Sequence, residues 1–217
     1  MKAHTSSAVP DVTPAESDPQ TRERLIEAAV RVFARKGYAS ASVREIAEIA
    51  RVTKPALYYH FGSKEGLLVT ILQQGTMAFR VALVRASTRP GRAVDRLVAL
   101  CDDFYALFEE TVPIVRVAHT VLLGPPDAVP PFDPGLLERE IRDAFTRLVE
   151  DGQREGAIRT DATATDITLG LMGILEGCWS RLLHHGFERI DIDTLHRLIR
   201  LLLESAPAPP HISGEDT

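Results

Sequence analysis

Residues 42–64 read Ser-Val-Arg-Glu-Ile-Ala-Glu-Ile-Ala-Arg-Val-Thr-Lys-Pro-Ala-Leu-Tyr-Tyr-His-Phe-Gly-Ser-Lys, a pattern that predicts two short helices around a tight turn. Ser42 suits an N-cap, and Glu45 three residues later completes a capping box. Ile46, Ala47, Ile49 and Ala50 supply the inner face of the first helix, with Ala47 small enough to let a neighbouring helix approach closely. Thr53 is the expected N-cap of the second helix. Pro55 then falls in its first turn, where a missing N–H does no harm. Leu57 and Phe61, four residues apart, point inward. Lys54, Pro55, Ala56, Tyr58, Tyr59 and His60 are left facing outward, a poor face for solubility and a good one for a DNA groove. The stretch reads as a helix-turn-helix.

Working outward, the chain is helical almost throughout. Asp18 and Pro19 open a first helix in which Leu25, Ala28, Ala29, Val32 and Phe33 follow the i, i+3, i+4, i+7, i+8 rule. Arg35 and Lys36 complement the dipole of its last turn, and Gly37 ends it. Beyond the motif, Ser63 caps a helix from about Lys64 to about Arg85. Leu67, Leu68, Ile71 and Leu72 hold its start to the N-terminal module, while Met77, Val81 and Val84 are expected to pack in the body, making this helix a mechanical link. Gly75 within it is either a bending point or a packing site. Five further helices are expected at about 92–110, 113–123, 134–156, 164–185 and 192–204, with the Pro-rich segment Gly124 to Pro134 between the second and third. No alternating pattern argues for strands and no internal repeat is evident.

The N-terminal helix, the Ser/Thr-x-x-x-Ile-Ala pattern and Leu57-Tyr-Tyr-His-Phe-Gly-Ser-Lys64 resemble the TetR family of bacterial transcriptional regulators, in its AcrR-like form. The close resemblance covers residues 21–70; the rest is similar only in size and helical pattern. It departs at one point: the family usually has Gly in the Ala-Gly-Val turn, and here Arg51 stands there. A left-handed turn without Gly costs about 1 kcal/mol, so Arg51 is either tolerated or accompanied by a remodelled turn, and it offers a further phosphate contact. The implied fold is all-α: an N-terminal three-helix DNA-binding domain with the helix-turn-helix (residues 19–70), then a larger helical ligand-binding and dimerisation domain (71–204). Residues 1–18 and 205–217 are expected to be disordered tails.

Charge distribution agrees with binding nucleic acid at one end only. The chain of 217 residues has a net charge of −5, yet residues 21–70 hold nine Lys and Arg against five Glu, leaving the remainder acidic. Cys101 and Cys178 lie in apolar helical patterns, which argues against a disulfide framework and favours buried reduced thiols over a redox switch. Residues 1–20 lack the apolar run of a signal peptide. The stretch Ile167 to Leu183, which looks the most apolar, is interrupted by Glu176 and Arg181 and too short for a membrane span. A cytoplasmic protein with no membrane partner is expected.

Within the motif, Ser42 and Arg44 at the start of the first helix are candidate DNA contacts; Arg44 is placed to reach a guanine edge or a phosphate, and the resemblance favours the groove. Thr53, Tyr58, His60 and Lys64 are placed to hold phosphates, with Ser63 and Lys64 at a helix N-terminus. Lys54, Pro55, Ala56 and Tyr59 are the candidate base readers, Pro55 and Ala56 suiting thymine methyls. Packing under the next helix is the competing reading for one tyrosine, but not for both, because consecutive positions point about 100° apart. The helix 164–185 is apolar on nearly all sides, and Gly170, Gly173 and Gly177 form a row that makes sense if a backbone or ligand comes close. With Leu195, Leu198 and Leu202 of the final helix, these residues are the expected homodimer interface, since the resemblance implies pairing of the last two helices with their symmetry mates. Two recognition helices would then read a pseudo-palindromic double-stranded DNA operator.

Regulators of this kind usually repress until a small molecule binds in the helical body, and the unknown effector's expected lining is Phe104, Tyr105, Phe108, Arg116, His119, Thr120, Met172, Glu176 and Trp179. Core packing of the aromatics, a satisfied core histidine at 119 and an ion pair at Glu176 compete with that reading. Ligand binding would shift the helix from Lys64 and alter the spacing of the recognition helices. No nucleophile–base spacing, phosphate loop, cofactor motif or metal-ligand set is present, so catalysis, cofactors and metals are not expected. A ligand-independent DNA binder or an activator remains the alternative.

Overall fold

The computed structural model describes residues 18–122, 133–184 and 188–204; residues 1–17 of the expected N-terminal tail, the expected C-terminal tail and residues 124–132 of the Pro-rich segment lie outside the described residues, while Asp18, expected in the first tail, is ordered as a helix cap. Those described form eight helices and no strand: α1 (Pro19–Lys36), α2 (Val43–Ala50), α3 (Lys54–Phe61), α4 (Lys64–Thr88), α5 (Ala93–Leu122), α6 (Pro134–Arg154), α7 (Ala164–Leu183) and α8 (Ile192–Leu203). The fold is all-α. Two compact units can be distinguished. One comprises Met1–Val81 with Leu107–Leu137, the other Ala82–Ala106 with Glu138–Thr217, so the division runs through α4, α5 and α6.

In the first unit, Asp18 caps α1 by accepting from the Gln20 N–H at 3.2 Å. Gly37 ends the helix with φ of 80° and donates to the Phe33 carbonyl. Its inner stripe, Leu25, Ala28, Ala29, Val32 and Phe33, is buried with Ile46 and Ala50 of α2, Leu57 of α3 and Leu67, Leu68, Ile71 and Leu72 of α4. Each Leu, Ile or Phe so buried contributes about 1.5–3 kcal/mol, which is how helices of only eight residues stay folded. Ile49, expected on the inner face of α2, is instead 39% exposed, because the buried arc is already filled by Ile46, Ala47 and Ala50.

The turn after α2 is closed by the Arg51 N–H on the Glu48 carbonyl (3.2 Å) and the Val52 N–H on the Ala47 carbonyl (3.0 Å). That hydrogen-bond pair is a Schellman motif, and Arg51 occupies its left-handed position with φ 56° and ψ 46°. The turn is therefore kept in its ordinary geometry, without remodelling, by a non-glycine residue.

Three expectations about the later helices change. The helices expected at 92–110 and 113–123 are one 30-residue helix, α5, which runs through Pro113. A proline removes one donor and crowds the preceding turn, but the Pro113 ring is exposed and the helix continues past it. Met77, Val81 and Val84 do not pack in the body: they are 58%, 50% and 63% exposed, one stripe on the outer side of α4. Gly75 is a packing site, because a Cβ there would lie 2.8 Å from Ile114 Cγ2. Among the described residues, by length and mean hydropathy (1.5), α4 rather than α7 is the helix apolar enough to cross a membrane, yet Leu67, Leu68, Ile71 and Leu72 are committed to protein core.

The second unit is centred on Leu97, Leu100, Cys101 and Phe104 of α5, Phe145, Leu148 and Val149 of α6, Ile167, Leu171, Leu175 and Cys178 of α7, and Leu195 and Ile199 of α8, all buried. The Phe104 and Phe145 rings meet edge to face at 5.7 Å. Arg96 caps the end of α4 by donating to the Ala86 and Ser87 carbonyls. Burial pushes both cysteine thiols upward in pKa, which keeps them protonated and unreactive.

Candidate nucleic-acid interface

Helix α3 is fixed along one side. Ala56 and Leu57 are fully buried, Phe61 packs against the same core, and the Arg22 guanidinium lies 5.5 Å from the Phe61 ring centre. On the other side Lys54 and Pro55 are exposed, as are Tyr58 (46%) and Tyr59 (49%). Both tyrosines thus face away from the core despite being consecutive, because the buried arc occupies the neighbouring positions. Ala56 is a correction: its methyl points into the core beside Leu57, so it cannot meet a base edge. His60 is half-buried with its ring edge-on to Tyr59 at 5.1 Å.

The supports of this face are partly as expected. Ser42 Oγ accepts the Glu45 N–H at 3.2 Å, but the return arm of the capping box is not made. The Glu45 carboxylate instead binds Arg35 (2.7 Å) and Lys36 of α1. Hydrogen bonding by Lys36, reinforced by both cationic charges, holds its pKa below the ordinary value. Thr53 stands at the N-cap of α3 with extended backbone but makes no capping bond through its side chain. Arg44 reaches Glu48 at 2.7 Å, both exposed, a pairing weak enough to be exchanged for a phosphate. Lys64 turns inward instead of toward a phosphate. Its ammonium donates to the Tyr38 and Ala41 carbonyls, both at 3.0 Å, and lies 4.3 Å from the Tyr38 ring centre. Its partial burial lowers its pKa. The loop from α1 to α2 is thereby pinned to the start of α4. The sequence gives no local sign of the parts played by Tyr38, Arg22 and the Glu45 clamp, since their partners are distant in the chain.

The residues expected to line an effector pocket divide between the two units. Phe108, Arg116 and His119 fall in the first, where Phe108 meets Phe79 at 5.6 Å; the Thr120 side chain lies outside the described residues. In the second, Phe104 is core and the Tyr105 hydroxyl donates to the Ile190 carbonyl at 2.7 Å. Met172 and Trp179 are half-buried. Glu176 is exposed and accepts from the Trp179 indole N–H, so it is served by an aromatic donor three residues on. A surface groove of about 550 Å³ in the second unit includes Val98, Asp102, His196 and Ile199 but none of the nine expected residues. His196 and Asp102 pair at its rim at 2.7 Å.

The interface residues also sort. Leu195 is fully buried in its own unit, and Gly170 is covered by Leu202, whose Cδ2 would lie 2.8 Å from an added Cβ. These two are explained by folding of a single chain. Gly173 and Gly177 meet nothing within 4 Å, and Leu198 is half-buried. Leu169 and Leu201, which were not among the expected interface residues, are 71% and 74% exposed.

Residues 25–71 match the model for bacterial regulatory proteins of the tetR family. This segment is of the tetR type. It is 28% identical over 154 residues to the HTH-type transcriptional repressor NicS of Pseudomonas putida, covering 70% of this chain and 72% of that protein. It is 27% identical over 188 residues to the repressor AcnR of Corynebacterium diphtheriae, covering 85% and 90%. In fold it is similar to the tetR-family regulator PfmR of Thermus thermophilus, with a TM-score of 0.68 at 22% identity, covering 82% of this chain and 97% of that one.

The tetR match contains every residue proposed at the DNA face, from Ser42 to Lys64, and ends in the first turns of α4. The effector candidates all lie beyond it. The chain is a DNA-binding transcriptional regulator whose best-defined chemistry is the outer face of α3.

Proposed function

We propose that the protein is a dimeric repressor that reads a pseudo-palindromic operator through α3 and releases it when a small molecule binds the helical body. The observation that carries the DNA reading is the exposure of Lys54, Pro55, Tyr58 and Tyr59 on one side of a helix whose other side is held in the core. Residues 19–70 serve as the DNA-binding domain and 71–204 as the dimerisation and effector domain, with α4 continuous from one into the other. Arg44 and Tyr58 hold phosphates, Lys54, Pro55 and Tyr59 meet base edges, and Lys64 acts by holding the α1–α2 loop. Repression is supported by the two relatives named as repressors, and the site of action is the bacterial cytoplasm. The protein works as a binder, without catalysis.

Selecting duplexes from a random DNA pool tests this reading. Wild-type protein should enrich a pseudo-palindrome with half-sites about one helical turn apart. Tyr59→Ala should then reduce preference for that duplex over random DNA by about 10- to 100-fold. Equal losses on both duplexes would remove Tyr59 as a reader, and failure to enrich any sequence would remove the operator.

A further inference from the structure

Arg51 is the only non-glycine residue with positive φ among the described residues, and it sits at the hinge of the DNA-binding motif. Glycine or asparagine would hold this backbone conformation with less strain. Strain kept at one position of an otherwise regular motif directs attention to what the side chain does. The Schellman hydrogen bonds at this turn use only the Arg51 backbone, so the fold requires nothing of the guanidinium.

Its surroundings narrow the possibilities. Within residues 42–61, Arg44 is paired with Glu48. Just outside the motif, Arg35 and Lys36 are engaged by Glu45, and Lys64 by two carbonyls. Arg51 is exposed and makes no ion pair or hydrogen bond through its side chain among the described residues; Lys54, three residues later, is in the same state. Two exposed cations with no protein partner among the described residues therefore flank the turn that leads into α3, one on each side of Val52 and Thr53. A planar guanidinium at such a point is suited to two oxygens of a phosphate diester, which an ammonium meets only as a point charge.

Resting on the DNA-binding reading above, we infer that Arg51 is a contact to the DNA phosphate backbone, on the same strand segment that Lys54 approaches. It supplies affinity without sequence choice, because a phosphate carries no base information. Retaining arginine in a left-handed turn exchanges local backbone comfort for an added anchor next to the reading helix.

Arg51→Gly and Arg51→Asn both suit the backbone and remove the charge, so neither variant should fail to fold; melting temperatures at or above wild type are expected. Binding is followed by fluorescence anisotropy on a duplex enriched from the random pool and on a random duplex, from low to moderate salt. Both variants should bind both duplexes about tenfold more weakly. The log–log salt dependence should become shallower by about 0.9 per bound protomer. Arg51→Lys should keep the salt slope while recovering only part of the affinity. Unchanged affinity and slope in Arg51→Gly and Arg51→Asn, with wild type binding normally, would overturn the assignment and leave DNA binding intact. A loss confined to the enriched duplex would overturn it in favour of base contact. Wild type that binds neither duplex would overturn the DNA-binding reading and this assignment together.

Discussion

The Glu45 carboxylate receives Arg35 and Lys36 from α1 while its own N–H is held by Ser42, so the first turn of α2 is fastened in two directions. Because these cations lower the carboxyl pKa in the folded chain, the unfolded chain binds the proton more readily. The clamp therefore adds stability above the ordinary value of 4.5, and that contribution disappears as pH falls through the lowered folded value. Glu45→Gln should be less stable than wild type at neutral pH, with the difference closing as pH falls below the ordinary value of 4.5. Denaturant midpoints measured across this range check it; a difference independent of pH would mean the clamp does not act through charge. Lys64 illustrates a related point. A cation expected to hold phosphate instead donates to two backbone carbonyls, which shapes the face without being part of it.

At the scale of elements, α7 shows how one row of glycines can serve different ends. A methyl at position 170 would collide with Leu202 of α8, whereas one at position 173 meets open space. Gly173→Ala should raise the stability of the single chain by about 1 kcal/mol from helix propensity. Gly170→Ala should forfeit that gain because Leu202 must move, at a cost of about 1–3 kcal/mol. Thermal denaturation of the two variants decides it, and equal shifts would show that Leu202 yields freely. If the open side of Gly173 is where a second copy approaches, the same Gly173→Ala variant gains as a monomer and loses as a dimer. Helix α5 makes a different point: an exposed proline does not end a helix when the surrounding turns are held by buried Val117 on one side and Phe104 on the other.

For the whole molecule, the basic balance of residues 21–70 within a chain of net charge −5 orients approach to DNA and disfavours contact by the remainder. Leu169 and Leu201 expose most of their surface on the two helices proposed to pair. The double variant Leu169→Glu with Leu201→Glu should be monomeric by sedimentation, with the helical signal retained, since neither side chain is used in the core. Its affinity for a two-half-site duplex should fall on the order of 100-fold or more, because the second half-site is no longer an intramolecular event. Wild type that sediments as a monomer at micromolar concentration would remove dimerisation from the proposed mechanism.

The class and the DNA-binding element were legible in residues 42–64 because the governing interactions are local: caps, a four-residue apolar spacing and a turn of fixed hydrogen bonding. Helical periodicity likewise determined the all-α fold and most helix boundaries. What it could not determine was which side of a short helix the core would claim, since neighbouring positions such as Ala56 and Leu57 differ by only about 100°. The continuity of α5 through Pro113, the inward turn of Lys64, the exposure of Met77, Val81 and Val84, and the use of Gly170 by Leu202 were decided by tertiary structure. Each depends on partners far away in the chain, and local propensity carries no record of them. Arg51 belongs to both levels: its position was visible in the sequence, and its left-handed conformation and unengaged guanidinium only in the folded protein.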